Sequence, residues 1–159
     1  MTPALHVRMA SVADAANISA MSRELIEHGL PWTWRADRVI RAIAAPDNNV
    51  AVIRDEANLE AFGIMEYWDD DAHLVLFAVR RSLQRRGLGS ALLRWLELSA
   101  VVAGSKRIRV EARRDNDAAR NFYNERGYHE LAIEPLRYSG RLDGIRLEKW
   151  LHERGAGDA

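Results

Sequence analysis

Residues 84–90 read Gln-Arg-Arg-Gly-Leu-Gly-Ser. They stand between an apolar run, His73–Val79, and a segment whose apolar spacing predicts a long helix over Leu88–Val102. The start of a helix leaves backbone N–H groups unused and carries a partial positive charge. Gly87 and Gly89 have no Cβ, so an anion can approach the backbone closely there. Arg85 and Arg86 add charge, and Arg80 and Arg81 precede them. Such a loop suits the diphosphate of a nucleotide-like cofactor. Two familiar phosphate loops do not fit. A P-loop ends in Gly-Lys-Ser/Thr, which is absent, and a dinucleotide fingerprint needs a third glycine where Leu92 stands. The plainer alternative is a glycine turn followed by solvated arginines.

The elements that must position this loop come from a chain of ordinary globular composition. It has 159 residues, 48% of them apolar and 29% charged, which suits one domain, residues 1–153, with 154–159 as a disordered tail. Lys and Arg together number 23, as do Asp and Glu, so no chain-wide basic field exists for nucleic acid. With no cysteine, the chain has no disulfides, thiolate nucleophiles or cysteine-ligated zinc. No run reaches the ~18 apolar residues of a membrane span. The N-terminus lacks the pattern of a signal peptide, so a cytoplasmic location without membrane contact is the expectation.

Hydrophobic spacing predicts a strand over Leu5–Met9, a helix over Asp14–His28 and a second helix over Arg35–Ala45, ended by Pro46. Strands follow over Val50–Arg54, Leu59–Trp68 and His73–Val79. The last is so continuously apolar that it reads as buried on both faces. In the long helix, Leu88, Leu92, Trp95, Leu96 and Leu98 are expected inward. Arg107–Arg113 alternates, with Ile108, Val110 and Ala112 on one side and Arg109, Glu111 and Arg113 on the other. Asn116 reads as the N-cap of a helix over Asp117–Arg126, with Gly127 just past its end. Tyr128–Tyr138 and Gly144–Trp150 read as closing strands. Consecutive strands imply antiparallel pairs, and the strand-helix-strand passage from His73 to Arg113 implies a parallel one. The expected fold is a mixed α/β sheet.

Two blocks carry a family resemblance. Gln84-Arg85-Arg86-Gly87-Leu88-Gly89 fits the pattern Gln/Arg-x-x-Gly-x-Gly/Ala. Asn116, Ala119, Phe122-Tyr123 and Gly127-Tyr128 fit Asn-x-x-Ala-x-x-Phe/Leu-Tyr-x-x-x-Gly-Phe/Tyr. In this order and at this separation they resemble the two signatures of the GNAT superfamily of acyl-CoA N-acyltransferases, over roughly Leu5–Leu151. The resemblance implies a mixed, mostly antiparallel sheet of about seven strands with a splayed parallel pair, flanked by about four helices. It implies acetyl-CoA as co-substrate and no metal. The backbone of Phe77, Ala78 and Val79 would meet the pantetheine arm, and Gln84, Arg85, Arg86, Gly87, Leu88, Gly89 and Ser90 the diphosphate. Asn116 and Tyr123 would flank the far side of the thioester.

The chemistry so implied is attack of an amine on a thioester, with a proton leaving the amine and one reaching the thiolate. Tyr123 is the candidate acid, and its alternative role is packing beside Phe122. Three residues compete as base. His73 falls where some relatives carry a catalytic glutamate, although it also simply begins a strand. Glu111 precedes the second signature, although an ion pair with Arg109 or Arg113 would occupy it. Glu66 is the third. The acceptor is expected to be a small-molecule or peptide amine. Leu30–Trp34, Trp68–Asp71 and Leu136–Arg141 are candidate walls, with Trp32, Trp34, Trp68 and Tyr138 as packing or contact residues. Asp69, Asp70 and Asp71 could draw in a cation or simply form a turn. A non-catalytic acyl-CoA sensor is the competing function, nucleic acid is disfavoured, and a homodimer stays open.

Overall fold

The computed structural model describes residues 6–151. The expected Leu5 start of the first strand and the expected 154–159 tail lie outside them. Among the described residues, seven strands and four α-helices follow the predicted order: β1 (Arg8–Met9), α1 (Ala15–Leu25), α2 (Ala36–Ala44), β2 (Asn48–Arg54), β3 (Leu59–Trp68), β4 (Asp71–Val79), α3 (Leu88–Val102), β5 (Arg107–Arg113), α4 (Asp117–Glu125), β6 (His129–Tyr138) and β7 (Leu142–Trp150). Short 3-10 turns cover Val12–Asp14 and Arg81–Leu83. The strand order is β1-β2-β3-β4-β5-β7-β6, with β4 and β5 parallel. This is the mixed α/β sheet that the sequence predicts.

The chain divides into two compact units. One holds residues up to Glu66 together with Val75–Ser99, and the other holds Tyr67–Leu74 and the chain from Ala100.

In the first unit, α1 and α2 turn Ile18, Met21, Val39 and Ala42 onto Val50, Val52, Phe62 and Ile64 of β2 and β3. Each such large aliphatic side chain contributes roughly 1.5–3 kcal/mol when fully removed from water. A buried carboxylate fixes the entry to α1. Asp14 accepts from the Ser11 N–H at 2.8 Å and pairs with Arg8 at 3.1 Å and Arg54 at 2.7 Å. Burial alone would raise its pKa, but the Ser11 N–H and the two guanidinium groups hold it below the usual carboxylate range. On β3, Gly63 leaves room for α3. A Cβ there would stand 2.7 Å from Leu96 Cδ1 and 3.3 Å from Phe77 Cδ2.

Two inward expectations need correction. Leu98 of α3 is 60% exposed, while Leu93 is buried instead. Leu92, Leu93 and Leu96 define the buried stripe, and Leu98 falls outside its arc. β4 is not buried on both faces. Ala72, Leu74, Leu76 and Ala78 are buried, and the alternate residues are only half-buried.

In the second unit, the parallel ladder runs from Asp71↔Arg107 to Leu74↔Val110. β7 lies antiparallel along the whole of β5, from Arg107↔Trp150 to Arg113↔Gly144. The predicted alternation of β5 is borne out, with Ile108, Val110 and Ala112 buried. Asp71 takes a two-pronged grip from Arg107, at 2.9 and 2.8 Å. Lys106 donates its N–H to the Asp70 carbonyl at 2.7 Å, and its ammonium lies 3.7 Å from the Asp70 carboxylate. The acidic turn is thus tied to the start of β5.

Candidate functional site

The first group of candidate residues belongs to the first unit. Beyond Phe77, Ala78 and Val79 the chain makes the Arg81–Leu83 turn and enters the glycine loop. Gln84 folds back, donating from Nε2 to the Val79 carbonyl at 3.1 Å. Arg85 and Gly87 both adopt left-handed backbone, with φ of 67° and 86°. The alternation of left-handed and ordinary residues curls the loop into the head of α3, a form that turns successive N–H groups toward one side. The first bond of the helix runs from the Ala91 N–H to the Gly87 carbonyl at 3.0 Å. The N–H groups of Leu88 and Gly89 therefore belong to the positive first turn. Arg85 and Arg86 are exposed. Nothing lies within 4 Å of where a Gly87 Cβ would stand, so the space over it is open. These features make an anion cradle of backbone and guanidinium groups.

Arg80 does not add to that charge as the sequence suggested. Its guanidinium turns back to the Leu59 carbonyl, through Nε at 3.0 Å and through Nη2, and its N–H bonds the Glu60 carbonyl. A separate cleft of about 470 Å³ opens between α1 and the Arg80–Ser82 segment, with Glu24, Asn58 and Arg81 on its walls. Neither Phe77–Val79 nor Gln84–Ser90 lines it.

The second group belongs to the second unit. Asn116 is the N-cap of α4, its Oδ1 accepting from the Ala119 N–H at 3.1 Å. Two helical turns on, Tyr123 is 5% exposed, with ring centroids of Phe122 and Tyr128 at 5.3 and 5.5 Å. Burial, and secondarily the Tyr138 phenol, raise its pKa well beyond the usual tyrosine range. It is therefore a neutral phenol, able to donate, throughout the physiological range. Tyr138 is pushed up to about 12, first by burial and then by Glu111, against Arg137 and Arg113. Tyr138 thus acts on the Tyr123 phenol, and Glu111 acts on Tyr138. The sequence singled out Tyr138 only as a pocket wall.

Glu111 is held by an arginine, but not by either expected partner. Arg137 of β6 grips it, Nε at 2.7 Å and Nη2 at 2.9 Å. Arg137 lies in the stretch of β6 where the register on β7 shifts, between Glu134 and Tyr138. His73 stacks on Trp68, ring centroids 4.2 Å apart, and its Cα partner on β5 is Arg109. Glu66 lies half-buried on β3 of the first unit, opposite Asn48. Of the suggested walls, Trp32 donates its indole N–H to the Ser19 carbonyl, and Trp34 is buried in the core. Asp71 is committed to Arg107. Among the described residues, no group of three His, Asp or Glu could hold a metal. No described helix is long and apolar enough to cross a membrane.

A model of the acetyltransferase (GNAT) family matches residues 18–128, a span that includes both the glycine loop and the block from Asn116 to Tyr128. The chain belongs to this family. The GNAT fold is borne out by solved structures. Ard1 from Thermoplasma volcanium superposes with a TM-score of 0.82 at 23% identity, covering 94% of this chain and 99% of that one. YncA from Salmonella typhimurium, a putative acetyltransferase solved with its cofactor acetyl-CoA, superposes with a TM-score of 0.80 at 21% identity, covering 95% and 96%. Among curated relatives, the uncharacterized N-acetyltransferase YesJ of Bacillus subtilis is 33% identical over 76 residues, 45% of this chain and 42% of that protein. The match thus spans less than half the length of that relative.

Proposed function

We propose that this protein transfers an acetyl group from acetyl-CoA to the amine of a small molecule or peptide, by direct attack on the thioester. The observation that carries the reading is the loop Gln84–Ser90 of a GNAT chain, with left-handed Arg85 and Gly87 curling into the head of α3. A diphosphate there meets backbone N–H groups, a helix dipole and the two exposed guanidinium groups of Arg85 and Arg86. The backbone of Phe77–Val79 holds the pantetheine arm.

In the reaction the acceptor nitrogen bonds to the thioester carbonyl carbon. The C–S bond breaks, and the sulfur takes a proton from the Tyr123 phenol. The amine gives up its proton to a base, for which Glu111 and His73 remain the candidates. A phenol kept neutral by burial suits the donor role, because it is protonated at every working pH. Asn116 shapes the start of α4, and so the placing of Tyr123 two turns later. A cytoplasmic location accords with this co-substrate.

Release of free thiol from acetyl-CoA over a panel of amines tests the reading. Amine-dependent release with matching N-acetylated product is expected. Tight acetyl-CoA binding with no release on any amine would instead favour a non-catalytic sensor.

A further inference from the structure

The face of the second unit that carries Glu111 is lined with arginines. Side chains alternate along a strand, and directly opposed residues of an antiparallel pair share a face. Arg109, Glu111 and Arg113 of β5 therefore share one side with Glu148, Arg146 and Gly144 of β7, their register partners. His73 of β4 stands beside Arg109 in the parallel ladder.

Most charges on this face are satisfied internally. Arg107 holds Asp71 and reaches Glu148 at 3.3 Å, Arg137 holds Glu111, and Arg113 lies 3.5 Å from Asp115. Arg109 and Arg146 differ. The Nε of each is buried and makes no hydrogen bond. Arg109 Nε comes only to 3.9 Å of Asp71, and Arg146 reaches Glu134 through Nη1 at 3.5 Å. Their side chains are still 30% and 36% exposed, so neither arginine is fully enclosed. Held only by ion pairs of 3.9 and 3.5 Å, the two guanidinium groups keep unspent donors on one face, where an anion would satisfy them. A guanidinium presents its donors as a planar fork, and a carboxylate is the matching planar anion.

We propose that the acceptor is a small amino-acid-like molecule whose carboxylate is bound by Arg109 and Arg146 while its amine is presented toward Glu111 and His73. This rests on the acetyl-transfer reading above and names the substrate class. Arg109 and Glu111 are two residues apart on one strand, about 6.6 Å at ~3.3 Å per residue. Arg109 and Arg146 act here as specificity residues.

Matched pairs of acceptors test this. Leucine, phenylalanine and methionine are compared with isoamylamine, phenethylamine and 3-(methylthio)propylamine by thiol release. The amino acid of each pair is expected to show a kcat/KM at least about tenfold higher, the scale of one charge-assisted contact. Arg109→Gln is expected to erase that preference by raising KM for the amino acids, leaving kcat and the KM for acetyl-CoA near wild type. Arg146→Gln provides the same test if Arg109→Gln does not fold. Calorimetric titration of N-acetylphenylalanine against N-acetylphenethylamine into the CoA-loaded protein reads the recognition without turnover. Equal use and equal binding of both members of each pair would overturn the proposal and leave acetyl transfer standing. Carboxylate-selective binding without any turnover would support the anion site and sink the reaction instead.

Discussion

Arg137 closes on Glu111 with two hydrogen bonds, from Nε at 2.7 Å and from Nη2 at 2.9 Å, across 26 residues of sequence. Both carboxylate oxygens are engaged, so Glu111 is held in one orientation. The pair is half open to water, with side chains 56% and 32% exposed, so its contribution to stability is small, about 0–1 kcal/mol. Its consequence is for chemistry. Arg137→Ala is expected to leave the unfolding midpoint nearly unchanged while lowering kcat/KM. If Glu111 is the base, Glu111→Gln lowers kcat/KM as well, and the double variant loses no more than the worse single one. Steady-state kinetics on the four proteins of this cycle check it.

Glu27 is predicted to be a structural keystone of the loop between α1 and α2. Its buried carboxylate accepts from the Ser22 hydroxyl at 3.0 Å, the Thr33 N–H at 2.7 Å, the Thr33 hydroxyl at 2.6 Å and the Trp34 N–H at 3.3 Å. Glu27→Ala strips partners from buried groups and is expected to cost about 2–4 kcal/mol. Urea unfolding followed by tryptophan emission measures it.

Asp14 gives a signed pH dependence. Its folded-state pKa lies below the unfolded value of 3.8, because the Ser11 N–H, Arg8 and Arg54 outweigh the effect of burial. The unfolded state then binds more protons near that value, so stability rises with pH there. The Asp14 contribution is fully present above the unfolded pKa and is lost as pH falls through the folded one. Asp14→Asn is expected to flatten the stability curve below about pH 5 and to lower stability at neutral pH by about 2 kcal/mol. Denaturant titrations from pH 6 to pH 3 provide the comparison.

Gly87→Ala separates strain from sterics. No atom stands within 4 Å of the added Cβ, but the backbone sits at φ 86°. A non-glycine residue pays roughly 1–2 kcal/mol in that region. A modest loss in melting temperature is expected, together with weaker acetyl-CoA binding as the loop relaxes out of its curl. Thermal unfolding and calorimetry on the same protein read the two effects.

Much of this was legible in the sequence where one residue type answers one local need. Asn116 announces the cap of α4. The alternation of β5 followed from Arg107–Arg113 alone. What the sequence did not disclose depends on distant partners. Arg80 looked available for a phosphate, but it is spent on the Leu59 carbonyl, 21 residues away. Glu111 meets Arg137 rather than Arg109 or Arg113, a partner 26 residues away that no local pattern encodes. Glu27 carries no local signal of its role, since its partners lie in a loop without periodicity. Leu98 reads as inward but is exposed, because apolar spacing along α3 is broader than the stripe that packs.

The most direct test of the central claim is the chemical step of Tyr123→Phe. The substitution keeps the ring that packs between Phe122 and Tyr128 and removes only the hydroxyl. Single-turnover acetyl transfer, measured beside calorimetric acetyl-CoA binding, isolates that loss. A rate lowered about 10²-fold with unchanged acetyl-CoA affinity is the expected result, the usual scale for a general acid. A rate equal to wild type would contradict the account of Tyr123 as the proton donor.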